Sequence, residues 1–188
     1  MSTPLAAQDA PPAAPAAPDA TAPSRGAIGV GFAATLGSGW QIESGEIGYV
    51  RRLGGGFVRA LSGSLRIGAF VDEGAILGGS RGIVAAGTVA ARTGQMRLAE
   101  MGDQQALTSI GFDVTFEATG YLGSHSPMPQ GSAWAAAALL PGLRVGSGIG
   151  PQYSLVVGPT VFFGSKTEVR GLLAFRVEAP LARRERHP

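Results

Sequence analysis

From Gly26 onward the large apolar residues fall at every second position. Ile28, Val30, Phe32, Ala34 and Leu36 alternate with Gly29, Gly31, Ala33 and Thr35. Ile110, Phe112, Val114, Phe116 and Ala118 alternate with Gly111, Asp113, Thr115, Glu117 and Thr119. A period of two is the signature of a β-strand with unlike faces, because successive side chains point to opposite sides of the pleat. No stretch between these segments carries the 3.6-residue period of a helix. The longest uninterrupted apolar run, Ala133 to Leu140, has eight residues and ends at Pro141. A transmembrane helix needs about 20. So the chain cannot cross a bilayer as a helix, although 45% of it is hydrophobic.

The same period continues to the far end of the body. Ile47, Tyr49, Arg51 and Leu53 follow Trp40 and Ile42 with a phase slip near Gly45, which predicts a β-bulge. Phe57, Leu61, Leu65, Ile67, Ala69 and Val71 share one parity, opposite Val58, Ala60, Ser62, Ser64 and Arg66. A weaker strand is predicted over Gly82 to Leu98, and Glu100 to Gln105 reads as a turn. Residues 132–147 are Ala-rich. Tyr153, Leu155, Val157, Val161 and Phe163 alternate next. The last strand sets Val169, Leu173, Phe175 and Val177 against Glu168, Arg170, Ala174, Arg176 and Glu178. Turn residues such as Gly54-Gly55-Gly56 and Gly164-Ser165-Lys166 separate the segments. The count is eight strands joined by hairpin-sized connections. Parallel βαβ folds, which need crossover helices, are disfavoured. The expected fold is all-β, an antiparallel up-and-down eight-stranded β-barrel.

Three segments divide the chain. Residues 1–25 hold six of the thirteen prolines and nine alanines, a low-complexity composition that cannot build a core and predicts a disordered N-terminal tail. Within it, Pro4-Leu5-Ala6-Ala7-Gln8 resembles the end of a secretory signal peptide. Residues 26–180 form the barrel. Residues 181–188 form a basic C-terminal tail.

The choice between an inward and an outward apolar face decides the environment. A water-facing barrel wall would be rich in Lys, Glu and Asp. Here the polar parity is mostly Gly, Ala, Ser and Thr with isolated charges, and the chain has a single Lys against fourteen Arg. The other parity carries Ile, Val, Leu, Phe and Tyr. A lipid-facing wall needs that apolar band, and strands of about 9–11 tilted residues suffice to cross. The long gaps at 72–81 and 123–131 fall at one end by strand parity, and the short turns at 54–56 and 148–150 at the other, as such barrels arrange external loops and periplasmic turns.

On this pattern and strand count, residues 26–178 resemble the small eight-stranded outer-membrane β-barrel proteins, such as OmpX and the OmpA transmembrane domain. Many members end on a C-terminal aromatic residue, whereas thirteen residues follow Phe175 here. The resemblance implies an integral outer-membrane protein of a Gram-negative-type envelope, with a structural or loop-mediated role. Its partners would be outer-membrane lipid and an extracellular or envelope component met by loops 72–81 and 123–131. A periplasmic or secreted barrel that binds a small apolar ligand, as lipocalins do, is the alternative.

An outward apolar face sends the other parity into the lumen. The lumen charges expected there are Glu43, Arg66, Asp113, Glu117, Arg144, Glu168, Arg170 and Arg176. Both signs occur on several strands, so they are expected to pair across the barrel as a structural network, because an unpaired buried charge is costly. Trp40, Tyr49, Phe57, Phe70, Tyr121, Trp134, Tyr153 and Phe163 are expected to form interfacial belts.

No catalytic, metal or cofactor site is assigned. With no Cys and only His125 and His187, a thiolate or His-rich metal site is excluded. Gly29-Val30-Gly31-Phe32-Ala33-Ala34 fits a loose G-x-G-x-x-A pattern but lies within a strand, where a dinucleotide site would need a strand before it and a helix after it. His125 beside Ser126 carries no hydrolase motif, leaving a lipid-modifying barrel enzyme as the least favoured reading. The net charge of +2 gives no footprint for nucleic acid.

Overall fold

The computed structural model describes residues 25–72, 80–102, 108–123, 133–147, 150–164 and 167–181. All regular structure within them is β: β1 (Gly26–Leu36), β2 (Trp40–Arg52), β3 (Val58–Asp72), β4 (Ser80–Thr93), β5 (Met96–Met101), β6 (Thr108–Gly123), β7 (Ala133–Gly146), β8 (Gln152–Phe163) and β9 (Glu168–Pro180). Each strand pairs antiparallel with its chain neighbours, apart from β4, which passes over β5 to pair with β6. Pairing of β1 with β9, Ala27↔Pro180 to Leu36↔Gly171, closes the sheet on itself. The result is an eight-stranded closed antiparallel barrel with one extra strand. Closure pairs both edges of the eight barrel strands, which would otherwise template aggregation, and leaves only the outer side of the extra strand unpaired among the described residues.

The extra strand arises from a break in the fourth barrel strand. β4 pairs with β6 as far as Arg92↔Thr115. Gly94 and Gln95 then interrupt the ladder, and β5 resumes it at Met96↔Phe112. The residues expected as a turn after Leu98 therefore continue as strand to Met101. β5 pairs with β6 alone, and all six of its residues are exposed.

The expected bulge at Gly45 is absent. β2 runs in unbroken register with β1 from Arg51↔Gly26 to Glu43↔Ala34, and with β3 from Trp40↔Asp72 to Arg52↔Ala60. Trp40 and Ile42 thus share a face with Ser44, Glu46, Gly48 and Val50, and that face points inward. Register shifts occur instead between Val58 and Ala60, between Phe70 and Val71, and between Arg97 and Ala99.

The two rims differ. The chain enters at Gly26 and leaves at Pro180 on the same rim, where the connection 53–57, β5 and the strand ends Thr108, Gly146 and Gln152 also lie. The strand ends Leu36, Trp40, Asp72, Ser80, Gly123, Ala133, Phe163 and Glu168 lie at the opposite rim. The predicted contact loops 72–81 and 123–131 belong there, although all but their strand-end residues fall outside the described residues. The Ala/Pro tail before Arg25 and the basic tail after Leu181 also lie outside them, as does His125 with Ser126.

Candidate functional site: the packed lumen and the outer wall

The alternation sorts chemistry between inside and outside. On the inner parity of β6 lie Gly111, Asp113, Thr115, Glu117, Thr119 and Tyr121, all buried. The outer parity of the strands carries Val30, Ile47, Leu61, Leu65, Ile67, Val89, Leu143, Leu155, Val157 and Phe175, all exposed. Leu65 and Ile67 are 67% and 71% exposed. Charges on the described outer wall lie toward the rims: Arg51, Arg59, Arg97 and Glu100 at the terminal rim, Glu43 toward the other. This polarity is inverted relative to a water-dissolved barrel.

Inside, eight charged side chains form two clusters. In the first, Arg66 on β3 donates from Nε to Glu46 at 2.8 Å and from a terminal nitrogen to Glu117 at 2.8 Å. Arg176 on β9 donates to the same two carboxylates, reaching Glu117 at 2.5 Å. These four groups bind strands on opposite sides of the lumen. In the second cluster, nearer the terminal rim, Arg144 donates to Asp113 at 2.9 Å and to Glu178 at 3.0 Å. Arg92 donates to Glu178 at 2.6 Å and lies 3.8 Å from Asp113. The first cluster holds two Arg and two acids and sums to zero charge; beside the two Arg and two acids of the second, Arg52 also lies within electrostatic reach of Glu178 and Arg144. Desolvating an ion costs several kcal/mol, and only paired, hydrogen-bonded neighbours offset it. The bidentate reach of Arg suits it to bridge two carboxylates, which explains the near absence of Lys.

Of the predicted lumen charges, Arg66, Asp113, Glu117, Arg144 and Arg176 lie in these clusters. Arg170 is also buried but stands apart. Its guanidinium donates to the carbonyls of Trp40 at 2.7 Å and Ser38 at 3.1 Å, and to Glu168 at 2.8 Å. It lies 3.5 Å from the centre of the Trp40 ring, a cation–π contact. Glu168 sits at the rim with its side chain 42% exposed. Glu43 is a correction: with no bulge at Gly45 it lies on the outer parity, between buried Ile42 and Ser44. Its place in the network belongs to Glu46. Arg92 and Glu178 were missed as well. Alternation already sets Glu178 on the polar parity with Arg170 and Arg176, but it is not among the expected lumen charges.

Above the ionic layers the lumen is closed by rings. Trp40, Phe70, Tyr121, Trp134 and Phe162 pack together with Ile42, Val84, Ala86 and Ala136. Tyr121 and Trp134 stack with centroids 5.5 Å apart and planes 6° from parallel. Phe162 meets Trp40 edge-on at 5.6 Å. Four of the residues expected in interfacial belts (Trp40, Phe70, Tyr121 and Trp134) are therefore in the plug. At this end both faces of the wall are apolar, so alternation alone gives no direction. Tyr49, Phe57, Tyr153 and Phe163 do face outward.

Small residues make the ionic layers fit. A Cβ on Gly31 would lie 2.5 Å from the Phe175 carbonyl and 3.1 Å from a Glu46 carboxylate oxygen. The glycines of the G-x-G-x-x-A pattern are thus spacers on the inner parity of β1. Beside the clusters, Ser62, Ser64, Thr88, Ala90 and Thr115 line a cavity of about 40 Å³. At ~10–15 Å³ per water, that is room for roughly three waters. A lipocalin-type ligand needs a cavity of several hundred Å³. Among the described residues no group of His, Cys, Asp and Glu could hold a metal ion.

Comparison with protein-family models, with curated proteins and with solved structures finds no match to this chain.

Proposed function

We propose that this chain is an integral outer-membrane β-barrel with a structural or loop-mediated interaction role in a Gram-negative-type envelope. One observation carries the reading: between its rims the barrel's outer wall is apolar, while the charges of the strand interiors pair in the lumen. An aqueous setting would penalise every exposed Leu, Ile and Val on that wall, at about 25 cal/mol per Å² of apolar surface. A bilayer removes the penalty. Closure supports the same reading, because lipid offers no partner to a free N–H or carbonyl and only a closed sheet satisfies them all. The packed lumen favours a scaffold over a carrier or a wide pore. The proposed contacts are lipid along the wall and an extracellular or envelope partner met through loops 72–81 and 123–131.

The test is production of the chain with and without detergent or lipid, followed by gel mobility before and after heating. A folded band that appears only with detergent or lipid and shifts on boiling is expected. A freely dissolved, folded monomer without either would overturn the reading.

A further inference from the structure

Where β4 breaks, the outer wall opens into a groove of about 430 Å³ at the terminal rim, lined by Phe57, Arg59, Thr93, Gly94, Val114 and Phe116. The break makes the groove. Past Arg92 the β4–β6 ladder stops, and Thr93 Oγ1 accepts the Val114 N–H at 3.1 Å in place of a backbone carbonyl. Gly94 leaves the floor low enough for Arg59 to lie across it: a Cβ there would already stand 3.4 Å from Arg59 Cγ. Arg59 keeps one donor on the Gly54 carbonyl at 3.3 Å. Its remaining guanidinium donors are uncommitted among the described residues.

Arg51 stands beside it. Arg51 pairs with Leu61 across the β2–β3 ladder, two residues from Arg59 on the same face. Such diagonal neighbours lie about 7–8 Å apart. Among the described residues neither Arg has an acidic partner, whereas Arg97 on the same rim is paired with Glu100 at 2.5 Å. Two like charges at diagonal positions, neither with a carboxylate partner among the described residues, favour an anion between them. Below them the groove is apolar, through Val114, Phe116 and Phe57, and it is continuous with the apolar wall.

We infer that this groove seats one anionic phospholipid of the leaflet facing the chain termini. Arg51 and Arg59 hold its phosphate, and an acyl chain lies against Val114 and Phe116. The inference rests on the membrane reading above and adds a specific lipid site to it. A headgroup with a net negative charge fits two Arg that have no acidic partner among the described residues better than a zwitterionic one, whose amine would meet the same positive charges.

The full chain, folded in detergent, is mixed with equal amounts of dioleoyl phosphatidylglycerol and dioleoyl phosphatidylcholine, and bound lipid is counted by native mass spectrometry. Preferential retention of one phosphatidylglycerol is expected. R51Q and R59Q should each lower it about fivefold, and the double variant about 25-fold, as for a basic residue near an anionic surface. R97Q should leave it unchanged. Heat-shifted gel mobility in each variant reports that the barrel is folded. Equal retention of the two lipids by the folded protein, or retention unaltered in the double variant, would overturn the lipid site and leave the membrane reading standing. Failure of the wild-type chain to fold in detergent or lipid would overturn both.

Discussion

Replacing Glu117 with methionine removes the acceptor shared by Arg66 and Arg176. The Glu117 side chain is 1% exposed, and it receives one guanidinium nitrogen from each arginine. In E117M the first cluster keeps Glu46 between two arginines, so its charge rises from zero to +1 in a setting that solvent barely reaches. Removing one partner from a buried ion pair costs on the order of 3–5 kcal/mol. That is a large share of the 5–15 kcal/mol typical of a folded domain. The double variant R66M/E117M behaves differently. It leaves Glu46 with Arg176, a neutral pair, and fills the lumen with side chains of similar length. Its cost is expected to fall at least 2 kcal/mol below the sum of the single variants, the coupling that contacting groups show. Urea unfolding in phosphatidylcholine vesicles measures both, with Trp40 and Trp134 as reporters inside the plug. A cost for E117M below about 1 kcal/mol, or additivity in the double variant, would refute the reasoning that these four groups act as one neutral unit.

Two further substitutions separate packing from environment. Phe162 is fully buried beneath Trp40 and Tyr121, so F162A should cost about 3–5 kcal/mol in the same unfolding assay, and a cost below 1 kcal/mol would mean the plug is not packed. Leu65 lies mid-strand on the outer wall, and L65R should cost about 2–4 kcal/mol in vesicles. A wall facing water would tolerate L65R within about 0.5 kcal/mol.

The strands were legible wherever the two faces differed in kind. β6 shows this best, with Phe116 and Ala118 outward against Glu117 and Thr119 inward. The inference failed where both faces are apolar. Trp40 and Ile42 enter the plug while Ile47 and Tyr49 face outward, and reading all four as one face forces a phase slip that the backbone does not make. That slip moved Glu43 inward, whereas Glu46, the centre of the first cluster, lies opposite outward Ile47 with or without it. Arg92 was hidden by the weak pattern of β4, where Ala85, Gly87 and Ala91 on the outer parity are nearly as small as Ala86 and Ala90 on the inner. The pairing partners depend on barrel closure, since Arg92 and Glu178 are 86 positions apart in the chain and no local spacing joins them.

The central claim is that the outer wall contacts lipid. The chain contains no Cys, so single substitutions Leu65→Cys, Val89→Cys and Val157→Cys can each carry one environment-sensitive label on the wall. The decisive measurement is quenching of that label in vesicles, by nitroxide on the lipid chains and by iodide in the water. At all three sites the account predicts strong quenching by the lipid nitroxide and little by iodide. Ready quenching by iodide and none by the lipid nitroxide, in a folded barrel, would contradict it.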